Sequence, residues 1–246
     1  MRFPWSVALR SFAVQGSWNY ETLIGTGFAF VILPALRRLH GGDPAAFEDA
    51  IRRHEGTFNS HPYLAPLALG AVIRMEEEGE DPAVIERFKA ALRSSLGTLG
   101  DQLIWAGWRP LCVLGALVLL LLGLPWWAAI AAFLVLYNAL HLWLMVWGLR
   151  VGLAEGRAVA ERLRGSVLRR LQPRLMAVGS FLAGVALALV VLRGVPTLEM
   201  SPGVVWVPLA VVAAAAGARW GERARRFGVA GVTLLAAAGL VVGVLR

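Results

Sequence analysis

Four histidines, His40, His54, His61 and His141, are the side chains best suited to acid–base or ligand chemistry in this chain. They do not fall at metal-ligand spacings. There is no His-Glu-x-x-His, no phosphate-binding P-loop and no nucleophile elbow. Gly179-Ser180 lies in an apolar run, but no histidine follows it to act as a base, which disfavours a serine nucleophile there. Cys112 is the only cysteine, so an internal disulfide and a cysteine zinc site are excluded. These residues assign no catalytic, cofactor-binding or metal-binding role. A polar-aromatic string stands out instead, Phe58-Asn59-Ser60-His61-Pro62-Tyr63. The position ahead of a proline is held extended, so Asn59 and His61 could sit at a loop tip that looks into a cavity. They could equally be caps and turn bonds that hold such a tip. His141, beside Asn138 in an apolar run, reads as a hydrogen bond to a neighbouring helix or as a ligand contact.

The elements that must position these groups belong to a membrane. Residues 110–149 run for 40 positions without Asp, Glu, Lys or Arg. A bilayer core needs roughly 20 apolar residues per helical crossing, so this run predicts two helices, with Gly123-Leu124-Pro125 as the turn between them. Residues 175–192, 200–218 and 227–245 predict three more spans. Trp126, Trp127, Trp143 and Trp147 read as the aromatic belt of the interface. The net charge of +8 is uneven: residues 1–109 hold 11 basic and 12 acidic side chains, and residues 110–246 hold 13 and 4. Residues 150–174 carry seven arginines against Glu155 and Glu161, and residues 219–226 carry four against Glu222. The positive-inside rule predicts that both connections are cytoplasmic and that the C-terminus is outside. The basic excess therefore reports orientation. Nothing resembles a nucleic-acid groove, in which basic residues alternate with stacking aromatics.

The first 109 residues are different. The apolar runs 22–36 and 64–73 are too short to cross. Such segments fit re-entrant hairpins or buried helices of a cytoplasmic domain, and spacing does not choose between them. Asp43-Pro44 and Asp81-Pro82 each read as an N-cap followed by proline at the first helical position. After the second, Val84, Ile85, Phe88 and Leu92 form a helical stripe. The acidic run from Glu76 to Asp81 reads as a solvated helix end or as a docking surface for a soluble partner. The extreme N-terminus lacks the apolar core of a signal peptide. It predicts a short interfacial segment with Trp5, Leu9 and Phe12 on one side.

Several strings together carry a family likeness. They are Arg10-Ser11-Phe12, Gln15 to Glu21, Gly25 to Phe30, Leu33 to Leu36, Phe58 to Pro66, Met75 to Glu78, Gly97 to Asp101 with Trp105 and Arg109-Pro110, Tyr137 to His141, and Gly148 to Gly152. In that order and spacing they resemble the IID component of the mannose/fructose/sorbose-type sugar phosphotransferase system. The resemblance implies a permease subunit that pairs with a IIC-type membrane subunit in a multi-copy hetero-oligomer. It implies that IIA and IIB phosphocarriers deliver phosphoryl groups, none of which is taken by IID itself. It implies a bacterial cytoplasmic (inner) membrane location and an elevator-like sliding motion. A sugar site needs aromatic faces for C–H surfaces and amide or carboxylate groups for adjacent hydroxyls. On this reading the candidates are Asn59, His61, Asn19, Trp18, Glu21 and Asp101. Two other readings stay open, a non-transporting regulatory or sensory subunit on the same scaffold and a membrane enzyme with an unrecognised site. The expected fold is an all-α integral membrane protein. About five transmembrane helices fill the C-terminal half, with interfacial and re-entrant segments before them. The expected division is 1–109, a helix pair at 110–149, a basic cytoplasmic loop at 150–174 and three spans at 175–246.

Overall fold

Asp43 and Asp81 start helices as their sequence context predicts. The Asp43 carboxylate accepts from the backbone N–H groups of Ala45 at 3.0 Å and Ala46 at 3.1 Å, and Pro44 opens the helix. Asp81 accepts from Ala83 N–H at 2.7 Å, ahead of Pro82. Each cap satisfies donors that the helix itself leaves open. The structure is a computed structural model, and residues 3–194 are described. The helices are α1 (Trp5–Arg10), α2 (Gly25–His40), α3 (Pro44–Glu55), α4 (Ala65–Glu77), α5 (Pro82–Gly100), α6 (Arg109–Leu121), α7 (Trp126–Glu155), α8 (Val159–Arg164) and α9 (Val167–Gly194). The described residues form no β-sheet, only two isolated bridges.

Among the described residues, three helical stretches are long and apolar enough to cross a membrane: Pro82–Leu121, Trp126–Leu163 and Val167–Arg193. The expected spans at 200–218 and 227–245 lie outside the described residues. The turn between the first two stretches falls at Gly123, whose φ of +99° suits glycine. Gly123 N–H reaches Leu120 O at 3.0 Å and Leu124 N–H reaches Leu119 O at 3.1 Å, a Schellman closure. The first stretch begins well before residue 110, because α5 runs into α6 without a break. They are joined by a π-helical segment, Asp101–Trp108. Pro110 accounts for the wide turn. It has no N–H to give the carbonyl four residues back, and its ring crowds that carbonyl. The stretch expected as a basic loop at 150–174 is largely helical: α7 continues to Glu155 and α9 begins at Val167.

The two short apolar runs become α2 and α4. At 1.5 Å per residue, 16 and 13 residues reach only about 24 and 20 Å. Helix α4 is buried on almost every side, from Ala65 to Ile73 and again at Met75 and Glu76. In the Trp126–Leu163 stretch only 17% of the most apolar window is buried, and in Val167–Arg193 only 6%. These helices present apolar surface outward, which a membrane protein does toward lipid or a partner. Trp5, Leu9 and Phe12 are likewise exposed along α1 and the turn after it.

The chain packs as two units that alternate along the sequence. One holds residues up to Trp105 together with Asn138–Arg169. The other holds Ala106–Tyr137 together with the described residues from Arg170 on. Within the first unit, α4 and the end of α7 meet backbone to backbone. A Cβ on Gly152 would lie 2.3 Å from Leu67 O, one on Gly70 would lie 2.5 Å from Leu149 O, and one on Gly148 would lie 3.1 Å from Leu67 N. Gly148 and Gly152 are the small-x-x-x-small pair that permits such close helix packing. Gly152→Ala therefore has to push the helices apart, and we expect about 1–3 kcal/mol of destabilisation. Thermal unfolding in detergent measures it. Gly115→Ala is the control, since its Cβ would meet nothing within 4 Å; equal midpoints for the two variants would contradict the packing argument.

Candidate functional site

Helix α3 ends at Glu55, and the loop carrying Asn59 and His61 follows directly. This loop is laced to the turn at 17–24. Phe58 N–H donates to Thr22 O at 3.1 Å, Ile24 N–H donates to Phe58 O at 3.1 Å, and the Thr57 hydroxyl donates to Glu21 O at 3.1 Å. Leu23 at the centre of this lacing has φ of +57°, an unusual value for a branched side chain. Asn19 builds the turn. Its Oδ1 accepts from Glu21 N–H at 2.9 Å and Thr22 N–H at 2.8 Å, and its Nδ2 donates to Ser17 O and Thr22 Oγ1. The Asn19 amide is thus engaged in holding the loop. Trp18 and Tyr20 are exposed and meet edge to face with centroids 4.8 Å apart. Glu21 is exposed beside them.

Helix α5 supplies the seat for the second loop. Gly97 lies under Asn59, whose Nδ2 is 3.4 Å from where a Cβ would stand. Gly100 lies under His61, where a Cβ would come within 2.0 Å of the His61 Cβ. Asn59 is exposed and His61 is buried at 3% exposure. Asp101 is exposed at the first position of the π segment, next to the Gly100 seat. The structure therefore gathers Asn59 and His61 onto α5 and laces the Trp18–Glu21 turn to the same loop.

His61 Nδ1 accepts from Tyr63 N–H at 3.2 Å, which places the ring proton on Nε2. Nε2 itself is buried and has no hydrogen-bond partner among the described residues. Burial pushes the His61 pKa down to about 4, and His141 acts in the same direction. The ring is thus neutral at physiological pH with one unused donor. Aromatic rings surround it: Tyr63 at 5.1 Å and Trp105 at 5.3 Å, both edge-on. Tyr63 stacks on His141 with centroids 3.8 Å apart and planes at 5°, and Phe12 meets His141 edge-on at 5.4 Å.

A second cluster stands behind this loop. Glu76 is 7% exposed, so it does not belong to a solvated or docking patch. Arg53 Nη2 donates to its Oε1 at 2.9 Å and its Oε2 at 3.0 Å, and Arg53 Nε donates to Oε1 at 3.1 Å. His54 Nε2 lies 3.0 Å from Oε1 and His40 Nε2 3.0 Å from Oε2. Lys89 Nζ donates to Arg53 O at 2.7 Å and lies 3.3 Å from His54 Nδ1. One tautomer satisfies every contact: His54 Nε2–H donates to Glu76 while Nδ1 accepts from the Lys89 ammonium. Glu77 and Glu78 do end the helix. Glu77 pairs with Arg38, Glu78 pairs with Arg74 at 2.7 Å, and Gly79 at φ of +68° closes the turn. Composition hides this cluster. Lys89 gave the available signal, because it lies four residues after Ile85 on the apolar stripe, where a charge demands a partner. Among the described residues, no three His, Cys, Asp or Glu side chains converge as a metal site.

The family described as the PTS system mannose/fructose/sorbose family IID component matches residues 4–221. The chain belongs to this family. The mannose-specific EIID component of Escherichia coli (strain K12) is 33% identical over 187 residues, covering 72% of this chain and 64% of that protein. The fructose permease IID component of Bacillus subtilis (strain 168) is 31% identical over 185 residues, covering 73% and 66%. The match thus spans just under two thirds of these relatives' length. A cryo-EM structure of the mannose transporter ManYZ with microcin E492 superposes with a TM-score of 0.58 at 32% identity, covering 74% of this chain and 68% of that one. A second solved membrane protein superposes at 0.65, also with 32% identity.

Two groups of the Glu76 cluster make the stability of this IID-family chain depend on acid. Burial, with the charges of Lys89 and Arg53, holds His54 at about 4, below its ordinary 6.5. Burial alone would raise Glu76, but hydrogen bonds and charge from His54 and Arg53 bring it from 4.5 to about 2. In both cases the unfolded chain takes up the proton first. Stability is therefore level between pH 6.5 and about 8, where buried Lys89 begins to give up its proton, declines between 6.5 and about 4 through His54 together with His61, and declines again between 4.5 and about 2 through Glu76. Glu76→Gln leaves Arg53 without its counter-charge, at a cost of about 3–5 kcal/mol, and removes the lower limb. Thermal midpoints in detergent across pH 3–8 test this; a wild-type midpoint that is flat from 7 to 4 would refute it.

Proposed function

We propose that the chain is the IID-type permease subunit of a phosphoenolpyruvate-dependent sugar phosphotransferase system. With a IIC-type partner it forms the path for a hexose such as mannose, in the bacterial inner membrane. IIA and IIB phosphocarriers supply the phosphoryl group from the cytoplasm. The reading is supported by membership of the family over residues 4–221 and by the relatives' mannose and fructose specificities.

One observation carries the site: a neutral, buried imidazole with an unused N–H, ringed by aromatics, directly behind an exposed amide on the same loop. Asn59 is the outward contact. It can donate and accept, as adjacent ring hydroxyls require. His61 offers the Nε2–H once a hydroxyl displaces the packing around it. Trp18 supplies an exposed aromatic face on the laced turn, with Glu21 beside it, and Asp101 borders the seat. Asn19 serves by shaping the turn. The chain itself carries out no phosphoryl chemistry in this scheme. It binds, orients and moves the sugar toward the phosphorylated partner.

Co-expression with a IIC-type partner tests the reading. The two are expected to co-purify and to bind mannose. Removing one charge-neutral hydrogen bond costs about 1 kcal/mol, so Asn59→Ala and His61→Ala should each weaken binding at least fivefold. Wild-type binding by both variants would remove the site assignment. Co-purification without sugar uptake would favour the regulatory reading.

A further inference from the structure

Trp143 and Trp147 lie one turn apart late in α7, and their indoles stack 5.6 Å apart at 13°. They line a cavity of about 570 Å³, a volume within the range of small-ligand sites. Glu161 and Arg162 of α8, Ser166 of the following turn and Val167 at the start of α9 line it too. The cavity is amphipathic: the indoles and Val167 are apolar, while Arg162, Ser166 and Glu161 are polar.

Its place in the chain matches that division. The uncharged run ends at Leu149, and residues 150–174 hold seven arginines against two glutamates. The cavity thus lies where hydrocarbon gives way to headgroups on the side the positive-inside rule makes cytoplasmic. Arg162 is 65% exposed, and its pairing with Glu155 is loose at 4.0 Å, so its guanidinium has donors to offer. Ser166 Oγ gives its proton to Leu163 O at 2.9 Å and cannot donate to a ligand. Glu161 on the same rim opposes a dianion. A singly charged phosphodiester with an apolar tail meets all of these conditions, and free phosphate, doubly charged and tailless, meets few of them.

We propose that this cavity holds one anionic phospholipid, its phosphodiester at Arg162 and its acyl chain along the Trp143–Trp147 pair. The test uses the full chain in detergent, titrated with phosphatidylglycerol, phosphatidylcholine or inorganic phosphate, with bound lipid counted by native mass spectrometry. One phosphatidylglycerol per chain is expected to survive, without competition from phosphate. Arg162→Gln and Trp147→Ala should each weaken its retention at least fivefold. Arg87→Gln, at another exposed arginine, should leave it unchanged. Equal retention of phosphatidylcholine, displacement by phosphate, or wild-type retention by both cavity variants would overturn the proposal. So would equal loss in Arg87→Gln, which would mean unspecific charge. Dimers that bind no lipid and dissociate in Trp147→Ala would show that a second copy fills the cavity instead.

Discussion

A single buried carboxylate fixes the arrangement of the N-terminal helices. Glu76 stands on α4, and its bonding partners come from α2 through His40 and from α3 through Arg53 and His54. Lys89 extends the set to α5. Three helices thus take their mutual register from two oxygen atoms, and Lys89 ties α5 to them through Arg53 O and the His54 ring. Apolar packing alone would not do this, because dispersion and hydrophobic contacts have little direction. Replacing a buried ion set with apolar residues is often neutral or stabilising, so net stability is not what these groups add. They add direction, and the loop with Asn59 and His61 leaves α3 only a few residues beyond that anchor.

The glycines complete the positioning by removing side chains where backbones or rings must touch. On α5, Gly97 and Gly100 leave flat seats for Asn59 and His61. Lys89, further back on the same helix, grips the end of α3. The loop is therefore held to α5 at both of its ends. On α4 and α7, Gly70, Gly148 and Gly152 bring backbones together, and the same approach sets His141 against Tyr63. A site built in this way owes its precision to helices, although its polar groups sit on loops.

Features of local origin were legible in the sequence. The Asp-Pro caps act through their own next two residues, and Gly123 needs only its own φ, so both could be read without knowing the fold. The short runs 22–36 and 64–73 were legible as too short to cross, because length is enough for that, while the choice between re-entrant hairpins and buried helices stayed open. The Glu76 cluster was not, since its partners lie 22 to 36 positions away and an acidic run ordinarily faces water. The continuity of α5 with α6 was hidden too. Glycine and proline disfavour a helix interior, yet Gly97, Gly100 and Pro110 all lie in this one continuous stretch, which widens at Asp101–Trp108. Asn19 read as a ligand group from its type alone, while its neighbours Ser17 and Thr22 engage its amide.

The widened turn also bears on how the site could move. A π segment is a stretch in which backbone bonds are already displaced from the α pattern. Here it begins one residue after the His61 seat and contains Trp105, which lies against the His61 ring. A shift of the segment toward α geometry would turn Trp105 relative to Gly100, because Trp105 lies within the widened segment and Gly100 just before it. His61 could not then keep both its seat and its ring contact. Its unused Nε2–H marks where that rearrangement has an energetic reason to occur, since a buried donor without a partner gains from meeting one.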